Sequence, residues 1–256
     1  MLIDTHAHLF NQGFSEQKID EILQNMKQNG MEKIILASAS IEECEGNVKL
    51  ANKYDNVFCT LGIHPENIEQ ASFENLKKIE ELSSSKKVVA IGEIGLDYFY
   101  ENFDKQKQID GFIKQVELAH NLKLPIVIHL RDAYEDMLNL IKQNQKLFEY
   151  GFDVHCYSGS KEFAKELLKF GAYFSFTGNI TFKNAKKAIE VIEFLPQNRI
   201  MTETDCPYLA PEPLRGTKNE PKNVRYVLNK ISQIKQIDIQ ELDQIIQQNV
   251  RDFYKI

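Results

Sequence analysis

The sequence is poor in the features that mark special classes of protein. Its four cysteines, Cys44, Cys59, Cys156 and Cys206, form no CxxC pair and no regular spacing, so neither a disulfide framework nor a zinc knuckle is indicated. Free thiols in a reducing cytoplasm are expected. No stretch approaches the roughly 20 apolar residues of a membrane span. Positive charge is not in excess. The net charge of -6 argues against coating a polyanion, which needs many Lys and Arg to displace condensed counterions. An enzyme that grips one strand end locally is still allowed. There is no internal repeat, low-complexity tract or linker, and with Met1-Leu-Ile-Asp-Thr-His running straight into a strand no basic and then apolar leader is expected. The expectation is one domain over residues 1–256, a length at which an α/β barrel need not divide.

What the sequence does have is eight short apolar runs: Leu2 to Thr5, Lys33 to Ala37, Val57 to Ile63, Val88 to Ile94, Pro125 to Leu130, Phe152 to Cys156, Ala172 to Phe176 and Arg199 to Thr204. Between them lie helical patterns. The clearest joins Ile109, Phe112, Ile113, Val116, Ala119 and Leu122 in one stripe. Alternating β and α units imply parallel strands with right-handed crossovers. Eight such units in this length favour a closed (β/α)₈ barrel, a TIM barrel, over an open doubly wound sheet. Active sites of such barrels lie at the carboxyl ends of the strands. The tail adds a proline-rich loop (Pro207, Pro211, Pro213, Pro221) and two helices around Val224 to Ile234 and Ile239 to Tyr254.

Six potential metal ligands, His6, His8, Glu93, His129, His155 and Asp205, each fall at the end of an apolar run. His6 and His8 alternate with Thr5 and Ala7, which points both imidazoles to one side of a strand, as chelation of one ion requires. Glu93 ends the most apolar strand, where an unpaired carboxylate would cost several kcal/mol, so it calls for a cation and is placed to bridge two. Asp205 follows the eighth strand, beside the first, within reach of the ion held by His6 and His8. It could also take the proton of an attacking water. Glu203, one layer deeper on the same face, is expected to support a ligand. Alternation turns Cys156 and Cys206 away from the ligands, as packing thiols. His120, inside an amphipathic helix, is structural. His64 in Gly62-Ile-His-Pro65, Arg131, and Arg215 and Lys218 in the loop before Pro221 are placed to meet an anionic substrate.

Six nitrogen and oxygen ligands exceed what one tetrahedral ion needs and match two ions that share a carboxylate and a water, about 3.5 to 4 Å apart. Imidazole-rich sites suit Zn²⁺, Mn²⁺, Fe²⁺ or Ni²⁺ better than Mg²⁺, which prefers oxygen. Taken together, Ile3-Asp-Thr-His-Ala-His-Leu9, Gly62-Ile-His-Pro65, Gly92-Glu-Ile-Gly-Leu-Asp-Tyr98, Pro125 to Arg131, His155-Cys-Tyr-Ser-Gly159, Thr202-Glu-Thr-Asp-Cys-Pro-Tyr-Leu209 and Arg215-Gly-Thr-Lys-Asn-Glu-Pro221 resemble the TatD family of metal-dependent deoxyribonucleases, over essentially the whole chain. Tyr157 departs from the phenylalanine often found there; no ligand position is lost. The resemblance implies a (β/α)₈ barrel acting as a magnesium-supported 3′ to 5′ exonuclease on single-stranded or frayed DNA ends. By motif, His6, His8, Glu93 and Asp205 would hold one ion, and Glu93, His129 and His155 the other, with magnesium, manganese or zinc as the metal. A monomer with a DNA substrate and no membrane partner is the expectation.

Two other classes compete. A metal-dependent amidohydrolase or esterase would also place HxH on the first strand and Asp on the eighth, but commonly bridges through a carbamylated lysine on the fourth, where this chain has Glu93. A non-catalytic binding barrel would carry its buried carboxylates and imidazoles at a cost without metal.

Overall fold

A computed structural model describes residues 1–256. Its strands are β1 (Leu2–Ala7), β2 (Met31–Leu36), β3 (Val57–Leu61), β4 (Val88–Asp97), β5 (Ile126–Arg131), β6 (Phe152–Val154), β7 (Tyr173–Phe176) and β8 (Ile200–Thr202). Its helices are α1 (Glu16–Gln24), α2 (Ile41–Lys53), α3 (Phe73–Leu82), α4 (Lys105–Leu122), α5 (Tyr134–Gln143), α6 (Lys161–Leu168), α7 (Lys186–Phe194), α8 (Val224–Lys235) and α9 (Ile239–Tyr254). All eight strands are parallel and lie in one sheet in chain order. This is the (β/α)₈ barrel expected from the alternation of the sequence. No helix is long and apolar enough to cross a membrane.

The strands read as continuous apolar runs because side chains on both faces are covered, by the barrel interior and by the helices. β4 is buried along its whole length, Glu93 and Asp97 included. Ser15, Ser40, Ser72, Asp104 and Ser160 each accept a hydrogen bond from the third residue into a helix, so α1, α2, α3, α4 and α6 start at defined points. The loops between strand ends and these caps are thereby held at the mouth.

The sheet closes through few contacts, gathered toward the mouth. Ala7 bridges Cys206, His8 N–H donates to the Cys206 carbonyl at 2.8 Å, and Asp205 N–H donates to the His6 carbonyl at 2.9 Å. Beneath them Asp4 Oδ1 accepts the Thr204 N–H at 2.8 Å, and Thr5 Oγ1 donates to the Thr202 carbonyl at 3.1 Å. The residues that seal the barrel are thus the neighbours of the ligand candidates, or the candidates themselves.

Three strands end two residues earlier than their apolar runs suggest, β3 at Leu61 among them. β6 stops at Val154 and β8 at Thr202, so strand alternation does not govern the residues just beyond them. Cys156 and Asp205 instead take left-handed backbone, with φ of 46° and 52°. Such a conformation is costly for a residue with a Cβ and persists where neighbours enforce it. Cys156 is therefore placed by a turn: its thiol lies 3.5 Å from Thr177 Oγ1, and its N–H donates to Glu203.

Candidate metal centre

Glu93 stands at the middle of the mouth, and each of its oxygens faces a different set of donors. Oε2 lies 3.2 Å from His6 Nε2 and 3.4 Å from His8 Nε2. His6 Nε2 and His8 Nε2 are 3.1 Å apart, and Asp205 Oδ1 is 3.5 Å from His8 Nε2. Donors around a tetrahedral ion with bonds of about 2.0 to 2.1 Å sit roughly 3.3 to 3.4 Å from one another. The spacing of this set fits a divalent cation.

On the other side, Oε1 is 2.7 Å from His129 Nδ1, 2.8 Å from His155 Nε2 and 3.6 Å from His64 Nε2. The two short separations are hydrogen-bond lengths between imidazole and carboxylate. The far nitrogens decide which imidazoles could turn a lone pair toward a metal. His155 Nδ1 faces Glu203 Oε1 at 3.3 Å and His129 Nε2 faces Asp97 Oδ2 at 2.9 Å, so each can keep a proton on the far side and offer a lone pair to the centre. His64 is the reverse. Its Nδ1 accepts the Glu66 N–H at 3.1 Å, so its Nε2 carries the proton and points it at Glu93. His129 and His155 fit as ligands on this side, and His64 fits as a donor to an anion.

The layer beneath is a chain of buried acids. Glu203 Oε1 accepts the Cys156 N–H at 2.7 Å, and Ser175 Oγ lies 2.7 Å from Glu203 Oε2 and 2.8 Å from Asp153 Oδ2. The serine has one proton for two carboxyls. Burial and the charge of Glu203 push Asp153 up to about 8, so near neutral pH it carries a proton for Ser175, which donates in turn to Glu203. Glu203 stays ionised against His155.

Burial alone would neutralise the central groups, and their mutual charges decide the outcome. Burial raises Glu93, but His155, His64 and His129 outweigh it and hold the carboxyl well below its usual range. Burial lowers His155, but Glu93 and Glu203 lift it well above an ordinary imidazole. His129 is raised in the same contest by Asp97 and Glu93. His6 goes down through burial and the charge of His155, and His64 falls to about 3 through burial and the nearby His129. Asp205 is raised because burial outweighs its imidazole neighbours.

All six residues singled out as ligands converge on one cavity, about 380 Å³, lined by His8, Glu93, His129, His155 and Asp205, with His6 at its floor. His64 and Arg131 line it too. Arg215 and Lys218 do not. They lie outward on the loop after β8, Arg215 4.4 Å from the ring centre of Phe182 and Lys218 4.0 Å from that of Phe14. His120 is remote, on α4, with its Nδ1 3.6 Å from Glu149. Asp97, Asp153 and Ser175 belong to the site without standing out in the sequence pattern. Asp97 had a signal: it lies four residues after Glu93 on the same strand face, across Gly95, where a Cβ would meet the His129 carbonyl oxygen at 1.9 Å. That close approach of β4 to β5 brings Asp97 against His129.

A parallel barrel whose mouth gathers imidazoles around a shared carboxylate is the architecture of a metal-dependent hydrolase. The family model described as TatD related DNase matches residues 3–255, and the chain belongs to that family. It is 38% identical over 256 residues to the uncharacterized metal-dependent hydrolase YabD of Bacillus subtilis, covering all of both proteins. It is 31% identical to the uncharacterized metal-dependent hydrolase YcfH of Escherichia coli K12, across all of this chain and 96% of that one. The crystal structure of YJJV, a TatD homolog from Escherichia coli K12, superposes with a TM-score of 0.92 at 28% identity, covering 99% of this chain and 98% of the other.

Proposed function

We propose that this hydrolase is a deoxyribonuclease that shortens single-stranded or frayed DNA ends, with 3′ to 5′ polarity, using two divalent ions. The observation that carries the reading is the position of Glu93, whose two oxygens serve two separate donor sets. His6, His8, Glu93 and Asp205 would hold one ion, and Glu93, His129 and His155 the other. Bound there, the pair would supply an activated water and neutralise charge on a phosphodiester. The imidazole content favours manganese or zinc over magnesium in affinity.

The chain's own residues account for the rest. Asp205, raised by burial, receives the proton of the attacking water. His64 Nε2–H and the Arg131 guanidinium face the cavity and hold phosphate oxygens. Glu203 and Asp97 fix the rings of His155 and His129. Arg215 and Lys218, further out, meet phosphates distant from the cleaved bond. A carboxylate in place of a lysine on β4, with these cations, favours a phosphodiester over a cyclic amide.

The test is release of mononucleotides from end-labelled single-stranded DNA after EDTA treatment and return of Mg²⁺, Mn²⁺ or Zn²⁺, with Glu93→Ala alongside. Stepwise shortening that needs both metal and Glu93 supports the reading. Metal-loaded protein that leaves every DNA intact would move the activity to amides, esters or small phosphodiesters.

A further inference from the structure

The loop from β4 to α4 is dense in aromatic residues: Tyr98, Phe99, Tyr100 and Phe103. Tyr98 and Phe103 stack on each other, ring centres 4.5 Å apart and 10° from parallel, and so anchor the loop. Phe99 and Tyr100 are left facing water, 53% and 50% exposed. Exposing two neighbouring rings this far costs hydrophobic free energy that ordinary loop packing would recover. Their rings stand nearly perpendicular, at 84° with centres 5.2 Å apart. Arg131 fills the corner between them, its Cζ 3.4 Å from the Phe99 ring centre and 5.6 Å from that of Tyr100.

This corner borders the metal centre. Arg131 and Tyr100 line the cavity that holds Glu93. A nucleotide chain with one phosphate at Glu93 must bring its next residues past Arg131 and Tyr100. We propose that Phe99, Tyr100 and Arg131 form a stacking corner that takes the nucleobases next to the scissile phosphate in single-stranded DNA, an inference that rests on the nuclease reading. Rings and a planar guanidinium accept the flat face of any base, so the corner selects for unpaired bases without selecting sequence. Arg131 can stack and still turn its N–H groups to a phosphate, which a lysine cannot do. A duplex hides its base faces and gains nothing here. The corner therefore provides the preference for single-stranded or frayed ends.

The experiment measures kcat and KM with Mn²⁺ on a single-stranded oligonucleotide and on the same backbone carrying abasic residues, for wild type and for Phe99→Ala/Tyr100→Ala. Both side chains are exposed, so folding is not at stake. The expected result is a KM raised about ten- to hundredfold on the normal oligonucleotide with kcat nearly unchanged. On the abasic strand the two proteins should share one KM. Phe99→Trp/Tyr100→Trp, which restores flat surfaces, should return the wild-type KM on normal DNA. An unchanged KM for the alanine variant overturns the stacking corner and leaves the nuclease reading standing. So does a rise that is equal on the abasic strand, because the rings would then be shaping the loop and not holding bases. Metal-loaded wild type that cleaves neither strand overturns both.

Discussion

The two sides of Glu93 are built differently. On the Oε1 side, His129 and His155 come from the ends of β5 and β6, which come directly after β4 in sequence and in the sheet, and their nitrogens sit at hydrogen-bond distance from the carboxylate. On the Oε2 side, His6, His8 and Asp205 come from the first strand and the segment after the last, and the spacings of 3.1 to 3.5 Å are those of atoms sharing a cation. His129 and His155 each face a carboxylate at both ring nitrogens, which raises both imidazoles, while the other set is spaced for an ion. Because a ligand must shed its proton to bind metal, the Oε1 set should take its ion with the stronger pH dependence.

The heaviest blow to this arrangement is Glu93→Gln, which weakens both sides at once. Turnover should fall about 10³-fold or more, and metal analysis should find both ions depleted. Asp205→Asn touches only the Oε2 side. A loss of about 10² to 10⁴ in kcat is expected, with one ion lost and the other retained. Loss of both ions from that variant would mean that the two sides are not separable. Glu203→Gln and Asp97→Asn act from behind His155 and His129, and each should lower metal affinity or activity about 10- to 100-fold, Asp97→Asn on the Oε1 ion alone and Glu203→Gln, which also faces His6, on both.

Removing metal exposes the competition between protons and ions directly. In EDTA, the raised imidazoles of His8, His129 and His155 contribute stability that is complete below about pH 6.5 and is lost as pH climbs through their folded values. His64, depressed to about 3, and His6, also lowered, act oppositely, and only below about 6.5. The melting temperature of the metal-free protein should therefore decline between about pH 6.5 and 9. With divalent ions present the decline should vanish or reverse, since the ions displace the same protons. The smallest effect belongs to Arg215→Ala/Lys218→Ala, which should change KM on DNA a few-fold, fading as salt rises, with no change in metal content.

The barrel was legible in the sequence because each strand carries its own apolar run and each ligand ends one. The boundaries at β6 and β8 were not, since Cys156 and Asp205 turn away from the strand through left-handed backbone that no pattern of hydrophobicity encodes. The six ligand candidates converge because strand ends of a closed barrel have nowhere else to meet. Arg215 and Lys218 stay outside because a loop's length says little about its direction. Asp153 looks in sequence like any strand residue two places before a histidine, and its proton-sharing with Ser175 depends on a partner 22 positions away.

The seam between β1 and the segment after β8 joins residues about 200 positions apart, and the Oε2 donor set exists only once that seam is shut. An ion bound there favours the closed barrel over any partly open form, by an amount that grows with its free concentration. Chelation should then loosen the molecule first at this joint, with amide exchange quickening at His8 and Asp205 before it does along β4 and β5. An ion there would act as a clasp between the first strand and the segment after the eighth, and a chain that has not finished folding has no place to put it.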